Sequence, residues 1–181
     1  KLPGNKRGGA RVEALTQNID IMPTLLEYYD MEIPEPVQGK SLKGILEGSE
    51  AEAEHRDTAL YGWHGKAVNI TDGKYTYFRG PENEDNHPCN IYGAVPTSLW
   101  RFLGRDRPED IEMGRFFPYT DYLVYKIPVS RAGEKSEEVE YVSENLLFDI
   151  EKDYQQWQPL QDREIEKKMI KKLKKALEEA E

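Results

Sequence analysis

The chain holds one cysteine, Cys89, among 181 residues. No disulfide can form within it, so covalent cross-links do not stabilise the fold, and the redox compartment is left open. Apolar residues are scarce too, at 38% of the chain against 33% charged residues, with a mean hydropathy of −0.80. That is lean for a self-contained globule of this length and implies that part of the core lies in polypeptide beyond these residues. No apolar run approaches the roughly 20 residues of a bilayer-spanning helix. The first residues do not form a signal peptide, and a piece of a longer chain would not reveal one, so localisation is undetermined.

Positive charge is also in deficit. A net charge of −9 repels a phosphate backbone, and neither nucleic acid nor a membrane is an expected partner. The one dense basic run, Lys167-Lys168 through Lys174-Lys175, is flanked by Glu164, Glu166, Glu178 and Glu179 and reads as the solvated face of a helix. What the chain does have is aromatic: eleven Tyr, five Phe and three Trp. Disordered chains are poor in such residues, so a folded structure is expected.

Turn residues punctuate the first third. After Pro3-Gly4 and Gly8-Gly9, Asp20 is placed to cap a helix near residues 20–30, with Pro23 in its first turn and Ile21, Leu25, Leu26 and Tyr29 as an apolar stripe. Pro34 and Pro36 forbid its continuation. Gly39-Lys40-Ser41-Leu42 leads into a short helical turn that ends at Gly48. Residues 49–58 are acidic and polar, which puts the internal boundary between 1–48 and 49–181.

Beyond it the period changes to that of strands. Ala59 to Trp63, Ala67 to Thr71 and Lys74 to Arg79 fit strands, and Asp72-Gly73 predicts a type I′ turn in a hairpin over 66–79. Tyr75 and Tyr77 share one face and Thr76 and Phe78 the other, so both faces should be covered. Residues 80–133 form a long aromatic-rich insertion with weak periodicity. Two further strands fall within 137–150, at Glu137 to Val142 and Leu146 to Ile150. A terminal helix over 162–180 buries Ile165, Met169, Ile170, Leu173 and Leu177. The expected fold class is α+β, an antiparallel sheet packed against the C-terminal helix and preceded by a helical remnant.

Three segments, in order, resemble the C-terminal third of sulfatases of the alkaline-phosphatase superfamily. The first is Gln17-Asn18-Ile19-Asp20-Ile21-Met22-Pro23-Thr24-Leu25-Leu26-Glu27, followed by Ile33-Pro34 and Gln38-Gly39-Lys40-Ser41-Leu42. The second is Asp72-Gly73-Lys74-Tyr75-Thr76-Tyr77. The third is Asn145-Leu146-Leu147-Phe148-Asp149-Ile150-Glu151-Lys152-Asp153. Two positions depart from the family pattern: Asp30 stands where a glycine usually follows the first helix, and Tyr154 replaces a proline. The resemblance makes 1–48 the tail of an α/β sulfatase domain and 49–181 its smaller C-terminal subdomain.

The resemblance also implies a chemistry that can be looked for. Such sulfatases oxidise a cysteine or serine within Cys/Ser-x-Pro/Ala-x-Arg to formylglycine, whose hydrate attacks sulfur beside a divalent cation, calcium being the expected ion. Cys89 is followed by Asn90-Ile91-Tyr92-Gly93, and no serine fits either. The family's Asp-Asn or Asp-His metal pair is missing before residue 11, and Asp85-Asn86-His87 falls in the insertion. No residue is therefore assigned a catalytic or metal-ligating role, the chain carries no cofactor of its own, and in isolation it is expected to be inactive.

Trp63, His64 and Lys66 are the candidates for touching an anionic substrate, since an aromatic, an imidazole and an ammonium at a strand end suit such a rim. His55, in the acidic linker, reads as exposed, Arg7 and Arg11 as surface cations, and Asn69-Ile70-Thr71 as strand rather than glycosylation acceptor. Expected partners are the N-terminal sulfatase domain, a sulfated small molecule or glycan, and a second copy of the chain should an apolar surface be left bare. A phosphodiester or phosphonate hydrolase would share the scaffold and differ at a nucleophile that these residues do not include. A standalone glycan-binding module using the Trp63 to Lys66 corner is the alternative from a different class.

Overall fold

The computed structural model describes residues 7–49, 51, 55–62, 66–82, 89–95, 111–128 and 144–180. A 3-10 turn at Asn18–Asp20 runs into α1 (Ile21–Tyr28), and α2 (Lys43–Glu47) follows. The strands are β1 (Ala59–Gly62), β2 (Val68–Thr71), β3 (Tyr75–Arg79), β4 (Asn90–Gly93), β5 (Glu112–Gly114), β6 (Val124–Pro128) and β7 (Leu146–Asp149). Helix α3 (Arg163–Glu178) closes the chain. This is the α+β arrangement with antiparallel sheets and a C-terminal helix. The expected strand Glu137 to Val142 lies outside the described residues.

Contacts divide the chain into two units. One comprises the described residues of Lys1–Trp63, Ala67–Arg79 and Glu144–Glu181; the other, those of His64–Lys66 and Gly80–Ser143. The first holds a four-stranded antiparallel sheet in the order β1-β2-β3-β7. In the register Leu60↔Ile70, Ile70↔Tyr77 and Tyr77↔Leu147 are opposed, which lines these four side chains along one face. Helix α3 covers that face: Met169 and Leu173 pack on Ile70, Tyr77 and Leu147, with Ile165, Ile170 and Ala176 around them. Tyr77 and Ile70 are wholly buried. The α3 stripe needs Ile165, Met169, Leu173 and Ala176, spaced four, four and three apart; Leu177, expected on it, is largely exposed.

The opposite face is also apolar. Phe78 meets Tyr61 and Phe148 edge to face, with ring centroids 6.1 and 5.7 Å apart, and the Tyr61 and Thr76 hydroxyls are 2.6 Å apart. Asn69 is buried in β2 on this face, consistent with strand rather than a glycosylation acceptor.

The β2–β3 turn forms one residue later than expected. The Asp72 N–H donates to the Tyr75 carbonyl at 3.1 Å, leaving Gly73-Lys74 as the two-residue loop, and only Gly73 has a positive φ, 88°. Type I′ needs two positive φ angles, so this is the glycine-first pattern of a type II′ turn. The Asp72 side chain explains the shift: its Oδ1 accepts from the Lys74 and Tyr75 amides at 3.1 and 2.7 Å. Lys172 on α3 then donates to Asp72 Oδ2 at 2.6 Å, tying helix to hairpin.

In the second unit the insertion forms a three-stranded antiparallel sheet, β4-β6-β5, which its weak periodicity hides. Its aromatics pack on each other: Tyr92 on Phe116 and Phe117 at 5.6 and 5.2 Å, and Phe117 stacked on Tyr119 at 5.3 Å. The polar loop Asp85-Asn86-His87 and Trp100 lie outside the described residues. Among the described residues no helix is long and apolar enough to cross a membrane.

Candidate functional site

A buried polar cluster joins the residues just before α1 to the loop before α2. Asp20 occupies the cap position of α1, yet its side chain makes no cap bond to the helix. It is completely buried and collects donors from three other places. Oδ2 accepts the Gln17 amide at 2.8 Å, while Oδ1 accepts the Lys40 amide at 2.9 Å and the Arg56 guanidinium at 2.5 Å. The backbone carbonyl of Asp20 accepts the Thr24 hydroxyl at 2.5 Å, and that hydroxyl in turn accepts the Leu42 amide at 2.8 Å. Pro23 is buried among these groups.

Burial by itself would raise the Asp20 pKa. The Lys40 and Gln17 amides and the Arg56 charge outweigh it and hold the carboxyl below the usual carboxylate range. A carboxylate so held is a poor proton acceptor near neutral pH. The cluster is a joint between the residues before α1, the loop before α2 and Arg56.

His55 corrects an expectation. It is buried, 1% exposed, with Nε2 3.8 Å from Asp20 Oδ2, and its carbonyl accepts the Lys40 ammonium at 2.9 Å. The linker it belongs to folds back on the joint, a tertiary event for which periodicity gives no signal; the only cue is a His-Arg pair ending an acidic stretch. Arg7, read as a solvated cation, donates to the Ile45 carbonyl at 2.5 Å at the end of α2.

Of the rim candidates, Trp63 and His64 lie outside the described residues, and Lys66 is half-buried. Among the described residues no three His, Cys, Asp or Glu side chains converge on a metal-sized site.

Two surfaces stand out. Helix α1 buries Pro23 and Thr24 and turns Ile21, Met22 and Leu25 outward, at 56, 49 and 54% exposure, with Tyr29, 76% exposed, at its C-terminal end and Ile19 and Met31 beside them. Separately, a cleft of about 360 Å³ opens where the β7–α3 loop meets α3, over Leu147 and Leu160 and bordered by Asn145, Gln161, Arg163 and Glu166.

Residues 1–78 match the family model described as N-sulphoglucosamine sulphohydrolase, C-terminal. A 65-residue stretch is 32% identical to the N-acetylglucosamine-6-O-sulfatase of Bacteroides thetaiotaomicron, covering 35% of this chain and 12% of that protein. The chain thus spans a small part of the length of its curated relative. The family match covers the first and second motifs read as sulfatase-like, and the curated match is likewise to a sulfatase.

Proposed function

We propose, for a chain whose first 78 residues carry a sulfatase C-terminal region, that it is the scaffold part of a hydrolase of sulfate monoesters. The attacking group and the divalent cation belong to polypeptide outside these residues. Both relatives are named for sulfated glucosamine, so the substrate class proposed for the whole protein is a sulfated, glucosamine-containing glycan.

The observation that carries this reading is the outward face of α1. A helix of a finished globule buries its apolar stripe and exposes its polar one. Helix α1 does the reverse, burying proline and threonine while Ile21, Met22 and Leu25 face out, with Tyr29 exposed just past its end. An apolar stripe of this kind marks an interface, and the partner it fits is the α/β sulfatase domain that precedes such a region in the family. The joint around Asp20 then fixes the angle at which α1 is offered. The expected role of Trp63, His64 and Lys66 as one wall of the substrate site belongs to this reading as a proposal.

The test is to express the chain alone and joined to the polypeptide encoded before it, and to follow sulfate release from an aryl sulfate and from glucosamine 6-sulfate. The chain alone should release none with any divalent cation, and the joined protein should turn over. Leu25→Glu with Tyr29→Glu should leave the isolated chain folded and better behaved, while preventing assembly of the joined form. Turnover by the isolated chain, or hydrolysis of a phosphonate ester in place of the sulfates, overturns the proposal.

A further inference from the structure

A second exposed surface has a composition unlike that of α1. Between β7 and α3 the chain reads Tyr154-Gln155-Gln156-Trp157-Gln158-Pro159-Leu160-Gln161-Asp162-Arg163. Tyr154 and Trp157 are 86 and 73% exposed. On and just after α1 the outward residues Ile21, Met22, Leu25 and Tyr29 include no amide. Here two aromatic rings alternate with four glutamines and lead into a guanidinium.

The loop is held in place. The Asp153 amide donates to the Asp149 carbonyl at 2.8 Å, the Gln156 amide to the Asp153 carbonyl at 3.0 Å, and the Leu160 amide to the Leu147 carbonyl at 2.7 Å. The Gln158 amide donates to Asp153 Oδ2 at 2.7 Å. The Trp157 indole N–H is directed to Gln155 Oε1 at 2.7 Å, which orients the ring. An indole presented to water on a loop so fixed loses little further freedom on binding. The cleft at the start of α3 adjoins the same loop through Leu160 and Gln161, and its polar border is Asn145, Gln161, Arg163 and the carboxylates of Asp162 and Glu166, with Asp162 Oδ1 accepting from the Glu164 and Ile165 amides. Glu166 is already engaged by the Tyr77 hydroxyl at 3.4 Å, whereas Arg163 has no ion pair among the described residues.

A flat apolar ring beside amide donors and acceptors matches a pyranose, which has one C–H face and a rim of hydroxyls. A forked guanidinium matches a sulfate ester, whose oxygens it can take two at a time. We infer that the Tyr154–Trp157 loop and the adjoining cleft form a glycan-binding subsite, with the Trp157 indole stacked on a sugar ring and Arg163 pairing with a sulfate on the same glycan. The sulfate contact rests on the proposed substrate class; the stacking contact does not.

The 181-residue chain is titrated with an N-acetylglucosamine disaccharide and with its 6-O-sulfated form. The Trp157 indole N–H resonance, assigned by its loss in Trp157→Phe, is followed alongside calorimetry. The expected result is a saturable shift with both sugars and tighter binding of the sulfated one. Trp157→Ala should weaken both about tenfold, and Arg163→Ala should remove only the preference for sulfate. Both positions are exposed, and an unchanged melting temperature certifies that the variants fold. No saturable shift with either sugar, or unchanged affinity in Trp157→Ala, overturns the subsite. A Trp157 shift that appears only when the joined sulfatase domain is present also overturns it, because the ring is then a protein contact. Sugar binding without sulfatase activity in the joined protein would count against the proposed function and leave the subsite standing.

Discussion

Gly39 packs so tightly against Ile19 that a Cβ on Gly39 would overlap the Ile19 carbonyl oxygen. The two residues belong to the two halves of the first sulfatase-like motif, and their contact explains the glycine. Next to it the Lys40 amide bonds to Asp20, and two residues further on the Leu42 amide bonds to Thr24. Gly39→Ala must push these strands of chain apart. The expected loss is about 1–3 kcal/mol, the range for overpacking, read as a lower urea midpoint with unchanged slope. An unaltered midpoint would mean that the close approach is not kept in solution.

Asp20→Ala should be more damaging. It leaves the Arg56 guanidinium, 12% exposed, and two amides without their acceptor, and breaking a buried pair from one side costs roughly 3–5 kcal/mol. Arg56→Ala should cost less, since Asp20 keeps the Gln17 and Lys40 amides. Equal losses in the two variants would contradict that order.

Acid should unfold the protein through the same groups. Asp20 and Asp72 both have folded pKa values below the unfolded 3.8; burial opposes this in each, and Lys40, Gln17 and Arg56 in one case and Lys172, Tyr75 and Lys74 in the other overcome it. Both groups bind protons more readily unfolded. Their contribution is therefore present in full above the unfolded pKa and is lost as pH falls through the lower folded values. Stability measured from neutral pH down to strongly acidic conditions should drop in that window, and Asp72→Asn should make the drop shallower. A pH-independent midpoint there would refute the assignment.

One position can be improved. After α1, Asp30 takes the left-handed conformation, φ 52°. The Asp30 amide donates to the Glu27 carbonyl at 3.2 Å and the Met31 amide to the Leu26 carbonyl at 2.9 Å, the two bonds of a Schellman ending. That ending favours glycine, and the family usually supplies one here. Asp30→Gly should stabilise by about 0.5–1 kcal/mol, seen as a rise in melting temperature. A fall would show that the aspartate makes a compensating contact.

Much of the scaffold was legible because it depends on local rules. The turn at Gly48, the hairpin near Gly73 and the α3 stripe follow from φ preferences and from periods of two and 3.6. The motif of Gln17 to Leu42 could be read as a pattern, and it lies within the family match over residues 1–78. Its purpose could not be read. Asp20 fits a helix cap by sequence, and only folding brings Lys40 and Arg56, 20 and 36 residues away, onto its carboxylate. His55 is buried, against the expectation from its acidic surroundings, for the same reason: its burial is decided by chain that packs on it from elsewhere. The sheet β4-β6-β5 gives no clear periodic signal because its short strands and their flanks carry aromatics that pack on each other and blur the alternation.

The sequence by itself determined the lean apolar content, the absence of a Cys/Ser-x-Pro/Ala-x-Arg motif from these residues and the family resemblance, since each is a property of residue types and their order. The tertiary structure decided which apolar residues are used. Ile70, Tyr77, Leu147, Met169 and Leu173 are spent on the chain's own core, while Ile21, Met22, Leu25 and Tyr29 are left facing out. Hydrophobicity draws both groups from water equally. Which of them finds cover within the chain depends on where the backbone, pinned at Asp20, lets α1 point.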